Sequence, residues 1–255
     1  MKLFSLQVAF GAAIVIVWQL ISGPLVSTFF ISKPSEIAVA LYDLAVNGNL
    51  FYHLGITATE ALVGFLIGGL FGVLAGIVLG RAKTTALVVE PYLMAFYSLP
   101  KVALAPLFII WFGIGIDMKI IFSGMIVFFL VFLNTYTGVR QVSREQLTIM
   151  RLMGANEYHL ITKVIAPSAI TWVFAGLRLS VPYSLIGAIV GEIIAANRGI
   201  GFLLSDAAAK FDTARVFAAL VGIMALAYFL SALVKFVERT LMPWKKAEDL
   251  QQMAV

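Results

Sequence analysis

Cysteine is absent from this 255-residue chain. That excludes a disulfide framework, a thiolate nucleophile and a cysteine-based metal site. Histidine is almost as scarce: His53 and His159 are the only two, and no His–Glu helix motif is present to hold a metal. Charge is thin as well, with Asp, Glu, Lys and Arg making up 12% of residues where a soluble protein carries about 25%. No Gly-x-x-x-x-Gly-Lys-Ser/Thr loop occurs, so the chain does not itself cradle ATP through that motif. Gly-x-Ser-x-Gly is missing too, and no Ser/His/Asp set converges. These absences argue against an enzyme.

What is abundant is apolar sequence. Hydrophobic residues make up 62% of the chain and the mean hydropathy is +1.01, the composition of an all-α polytopic membrane protein. A spanning helix needs roughly 20 apolar residues. On that ruler six spans fall at about 3–22, 57–80, 87–112, 119–139, 169–194 and 214–237, within one transmembrane domain covering 1–255. The first apolar run exceeds a signal-peptide core and shows no cleavage site, so it reads as a retained span.

With the N-terminus inside, eleven Lys and Arg fall on the inner side and five on the outer, Lys119 among the five. The net charge of +5 is thus distributed as in a cytoplasmic-membrane protein with both termini in the cytoplasm, not gathered into a nucleic-acid patch. His53 and His159 then lie on opposite sides. Trp244, before a charged tail, reads as an interfacial anchor.

Several segments carry more than hydrophobicity. Residues 34–48 begin at Pro34 and end at Gly48, with Ile37, Leu41 and Leu44 on one face, which predicts a short amphipathic helix at the outer interface. Gly64, Gly68, Gly72, Gly76 and Gly80 repeat every fourth residue, a stripe that allows close helix approach. The third span holds Pro91, Pro100 and Pro106, which predicts a broken helix. Lys101 beside the central proline lines a pathway, with or without direct substrate contact, or else snorkels or pairs with a carbonyl exposed by the kink. The fourth span ends in polar residues that include Asn134, and the fifth carries Arg178 and Glu192. Fourteen residues separate these two, roughly 21 Å along a straight helix, so they cannot pair within it. Lys101, Arg178 and Glu192 count as the only deep charges. Residues 197–212 contain a glycine turn and an apolar run too short to span, expected to lie across the outer surface.

The long polar interruption is 140–167, with Arg140, Arg144, Glu145, Arg151, Glu157, His159 and Lys163. Such a segment lies outside the hydrocarbon. Gly154, then Val164 and Pro167, resembles the cytoplasmic "EAA" loop of permease subunits of binding-protein-dependent ABC importers. SLPKVALAPLFIIWFGIG, NTYTGV, AGLRLSV, VGEIIAANRGIGFLL and HLGITATEALVGFLIGG are similar to the nitrate/sulfonate/taurine branch of that family, and the likeness covers about 34–244. One departure stands out: where the family has Glu-Ala-Ala, this chain has Thr148, Ile149 and Met150. Glu145, one helical turn earlier, is the nearest acidic substitute.

The resemblance implies a type I importer fold. It implies two copies of this chain forming one pathway, two ATPase subunits that bind ATP and Mg, and an extracytoplasmic solute-binding protein. It places a short coupling helix around Ala155–Leu160, so Gly154, Ala155, Asn156, Glu157, Tyr158, His159 and Pro167 become candidate ATPase-coupling residues. Pro100, Lys101, Asn134, Arg178 and Glu192 become candidate pathway residues for a small anionic solute. The chain binds no cofactor on this reading. The alternative is a stand-alone secondary transporter, which predicts inverted repeats and more buried acids.

Overall fold

The computed structural model describes residues 2–243; the Trp244 anchor and the charged tail lie outside the described residues. Among the described residues the helices are α1 (Lys2–Ile21), α2 (Thr28–Ile31), α3 (Pro34–Val46), α4 (Leu50–Arg81), α5 (Lys83–Ser98), α6 (Ala105–Phe112), α7 (Ile116–Arg140), α8 (Arg144–Leu152), α9 (Glu157–Ala195), α10 (Ile200–Ala209) and α11 (Thr213–Leu241). Among the described residues, α4, α7, α9 and α11 are long and apolar enough to cross a membrane, and the α5–α6 pair makes five if it counts as one broken span. The described apolar part of α1, Ser5–Ile21, is shorter than these.

The break between α5 and α6 is sharper than a kink. The two arms meet at 86° across a short 3-10 turn, Lys101–Leu104. Leu99 is forced into an extended conformation (φ −65°, ψ 137°) by the proline that follows it; the proline ring excludes the preceding residue from the helical region. The third span is therefore two helices at nearly a right angle.

The chain divides into two compact units, residues 1–58 with 192–226, and 59–191 with 227–255. The first unit gathers α1, α2, α3, α10, the first turns of α4 and the first half of α11. Its amphipathic α3 starts at Pro34, ends at Val46, and buries Ile37 and Leu44 as its spacing predicts. Trp18 of α1 meets Phe217 of α11 edge-on at 5.4 Å, and Arg215 reaches Asp43 at 3.4 Å.

The second unit is organised by the glycine stripe. Gly64, Gly68, Gly72, Gly76 and Gly80 lie in register along α7; a Cβ on any of them would fall less than 3.0 Å from α7 atoms. At Gly68 the neighbour is the backbone of Gly124, so main chain rests on main chain and no larger residue fits. This is small-residue packing as membrane helices use it, where close approach replaces the hydrophobic effect. Phe122, Val127, Val131 and Phe132 of α7 form the buried centre behind it.

The same unit corrects the charge inventory. Glu60 of α4 and Lys119 of α7 are 1% and 5% exposed and pair at 2.8 Å. Glu238 of α11 is buried and lies 3.4 Å from Arg178. The deep charges therefore include Glu60, Lys119 and Glu238, and Lys119, counted above with the outer side, is the fourth residue of α7. Both pairs follow the rule that a charge in an apolar segment finds a partner.

Candidate functional site

The segment 140–167 folds as two helices around one glycine. Ser143 caps α8 by accepting from the Gln146 N–H at 3.3 Å. At the other end Gly154 turns left-handed (φ +83°). Its N–H donates to the Arg151 carbonyl and the Ala155 N–H to the Met150 carbonyl, each at 3.0 Å. That pair of bonds is the Schellman ending, with glycine at the one position requiring a positive φ. Asn156 then caps the next helix, its Oδ1 accepting from the His159 N–H at 2.9 Å.

The expected short coupling helix around Ala155–Leu160 takes a different form. Glu157–Leu160 is the first turn of the 39-residue α9, continuous with it through a π-turn at Ile161–Ile165. Pro167 explains the π-turn: lacking an N–H, it leaves the ladder one donor short, and wider hydrogen bonding just upstream absorbs the mismatch. The turn is therefore joined rigidly to a long apolar helix.

The underside of the loop is seated. Leu160, Ile165, Val139, Val142 and Ala169 form a buried cluster, with Leu147, Met150 and Ala155 packed on it. Glu157 makes an ion pair with Arg81 and lies 3.4 Å from Arg151, clamping the α9 start to the ends of α4 and α8. The upper side is bare. Ile149, Leu152, Met153 and Tyr158 are 56%, 83%, 77% and 71% exposed. His159 is also exposed, with its ring 6.0 Å from that of Tyr158. Large apolar side chains in such numbers at the turn between α8 and α9 form an exposed apolar patch of the kind found at interaction sites.

Thr148 is exposed and its hydroxyl donates to the Arg144 carbonyl at 2.9 Å. Glu145, one turn earlier, is engaged within its own loop. Its carboxylate accepts from the Ser143 hydroxyl, which, followed by its own backbone N–H and by Arg144, holds the carboxyl below the usual range.

Within the second unit, the candidate pathway residues Lys101, Asn134 and Arg178 each have partners of their own. Lys101 donates to the Tyr97 carbonyl at 2.8 Å, and its ammonium lies 4.5 Å from the Tyr97 ring centroid and 5.7 Å from that of Phe129. It thus caps a carbonyl that the Pro100 break leaves without a helical donor. Asn134 donates to the Leu130 carbonyl in its own helix and packs against Gly176. Arg178 is half-exposed on the same side of α9 as Leu179, Pro182 and Tyr183 while holding Glu238.

Glu192 belongs to the other unit. It accepts from the Thr57 hydroxyl at 2.6 Å and from the Gly201 N–H at 2.7 Å. The Thr57 oxygen accepts from the Ile200 N–H, and the His53 Nδ1 from the Gly199 N–H, each at 2.9 Å. A buried carboxylate thereby caps the start of α10, a position that favours negative charge. Sequence reasoning placed Glu192 correctly as needing a partner outside α9, as it did Arg178. It missed Glu60, although an acid inside HLGITATEALVGFLIGG was visible, and it missed Arg81 and Glu157 as a pair.

A helical multi-pass membrane protein with a rigid, apolar-crowned loop is the class that these features define. Residues 68–243 match the family described as the binding-protein-dependent transport system inner membrane component. Over 239 residues, covering 93% of this chain and 87% of the relative, it is 32% identical to the putative aliphatic sulfonates transport permease of Bacillus subtilis. It is 28% identical to the taurine transport system permease of Escherichia coli K12, covering 89% and 84%. It is 31% identical to a riboflavin transport system permease of Chloroflexus aurantiacus, covering 85% and 81%. The fold is similar to that of a chain of the MetNI methionine ABC transporter in an inward-facing conformation, with TM-score 0.67, 16% identity, and 77% of this chain and 97% of that chain covered. The chain belongs to this family of permease components of ABC importers, and the alternative of a stand-alone carrier is set aside. As such a component it works in the inner membrane with an ATPase and a solute-binding protein, and hydrolysis resides in the separate ATPase.

Proposed function

We propose that this permease imports a small anionic solute of the sulfonate or taurine kind. Two copies form one pathway, residues 1–255 act as one permease domain, and both termini lie in the cytoplasm. Two ATPase subunits bind ATP and Mg and seat on the loop from Arg144 to Leu160. The relatives named for sulfonates and taurine support the solute class, as do two cations, Lys101 and Arg178, within apolar segments. Lys101, Pro100, Asn134 and Arg178 contribute to the pathway wall, and Glu192 holds the outer end of α9.

The single observation that carries the docking role is the apolar crown of Ile149, Leu152, Met153 and Tyr158 on a capped, core-anchored turn. Gly154, Ala155, Asn156 and Glu157 shape that turn, Tyr158 and His159 face the partner, and Pro167 sets the π-turn behind it. Because α9 begins within the loop, a push on the crown is delivered to a continuous helix, and closure of the ATPases tilts it between two packings. The test is reconstitution with the ATPase and binding protein in proteoliposomes, followed by uptake of labelled taurine and ethanesulfonate. Uptake should require ATP and stop when the ATPase phosphate-loop lysine is changed. Uptake that persists without any ATPase contradicts the proposal.

A further inference from the structure

Four arginines line one open pocket of about 470 Å³ beneath the loop: Arg81, Arg140, Arg144 and Arg151, with Thr148 among them and Val139 and Leu147 as apolar wall. Two carboxylates answer them. Glu157 pairs with Arg81 and Arg151, and Glu90 lies 4.0 Å from Arg140, whose guanidinium also donates to the Tyr136 hydroxyl at 2.6 Å. The Arg144 guanidinium is in none of these pairs; its neighbour Glu145, which feels its charge, has its carboxylate hydrogen-bonded to the Ser143 hydroxyl. The pocket therefore keeps an excess of positive charge with guanidinium groups converging from three helices.

Its level in the fold matters as much as its charge. Arg81 ends α4 and Arg140 ends α7, two of the long apolar helices. The pocket accordingly opens where the apolar segments stop, at the depth of lipid headgroups. Helix α8 also separates this pocket from the crown. Arg144, Thr148 and Arg151 follow one another at helical spacing along one face, whereas Ile149 and Leu152 lie along the next.

We propose that this pocket binds the phosphate of an anionic phospholipid headgroup. Guanidinium forks match phosphate oxygens two at a time, and the cavity takes a glycerophosphate rather than a lone carboxylate. Thr148 is what leaves the site open. A glutamate there would stand four residues after Arg144 and three before Arg151, within reach of both.

The experiment uses the full chain in neutral detergent, without ATPase, so that its outcome is separate from that of the docking proposal. Retained lipid is counted by native mass spectrometry after exposure to phosphatidylglycerol or phosphatidylcholine, and inorganic phosphate is added as competitor. Phosphatidylglycerol should be retained in preference to phosphatidylcholine and survive millimolar phosphate. Arg144→Gln should weaken retention about fivefold, the weight of one basic residue at a membrane surface. Thr148→Glu should abolish the preference while leaving the melting temperature unchanged or raised, which separates a filled site from a misfolded chain. Equal retention of the two lipids, displacement by phosphate, or a Thr148→Glu variant that still prefers phosphatidylglycerol overturns the proposal.

Discussion

Gly154 and Gly199 are both left-handed, at φ +83° and +101°, yet they sit in opposite kinds of surroundings. Around Gly154 a Cβ would meet nothing within 4 Å, whereas at Gly199 it would overlap the Glu192 carboxylate. The first glycine turns a loop whose upper side is apolar and bare. The second turns a loop closed on a buried network in which Glu192, Thr57 and His53 take up the Gly199, Ile200 and Gly201 N–H groups. The same backbone device serves a surface in one case and a seal in the other. A region meant to receive a partner leaves hydrophobic groups unsatisfied; a region meant to hold two helices together leaves no polar group unsatisfied. The sign of φ alone does not tell them apart, but the neighbours do.

The largest effect is expected at the seal. Gly199→Ala adds left-handed strain of about 1–2 kcal/mol and displaces the Glu192 carboxylate, leaving buried donors unpaired at about 1–3 kcal/mol each. The purified variant should melt several degrees lower or fail to accumulate. A melting temperature equal to that of the parent would show that the Glu192 network contributes little.

At the open loop the same class of change acts on function. Gly154→Val puts a β-branched residue at positive φ, a strain of about 1–3 kcal/mol, without any clash. Insertion and melting should change modestly, while ATP hydrolysis and uptake should become uncoupled in proteoliposomes. Retained coupling would mean that the turn is not part of the transmission element.

Lys101→Met sharpens the comparison from a third position, because Lys101 is bonded to a carbonyl and yet cationic at the break between α5 and α6. Its loss should reduce anionic-solute uptake while complex assembly remains at parental yield. An unchanged uptake rate would reduce Lys101 to a cap on the Tyr97 carbonyl, a contribution of about 1 kcal/mol.

What could be read in advance follows from which interactions are local. The glycine stripe repeats at helical spacing, so its packing role was legible before its partner helix was known. Pro100 announced a break, but its 86° angle depends on how α6 packs, with Phe108 against Phe122. Gly154 was legible as a turn because glycine is the residue for a Schellman ending. The continuity of α9 through Pro167 was not, since a proline there reads as a boundary and only the π-turn reconciles the two. Pairs such as Glu60 with Lys119 and Thr57 with Glu192 join residues 59 and 135 positions apart, and no local pattern encodes such distances. The open pocket was half-legible: Thr148 was seen as a departure, but the arginines around it come from three helices.

The central claim is that the crown on Arg144–Leu160 is where the ATPase seats. Binding of the purified ATPase to the detergent-solubilised chain, measured for the parent and for Leu152→Glu, tests it most directly. Leu152 touches so little of its own chain that the substitution should leave the melting temperature unchanged. The account predicts that affinity for the ATPase falls by about tenfold or more, as for a buried interface anchor. An affinity equal to the parent's, with a folded variant, would contradict it.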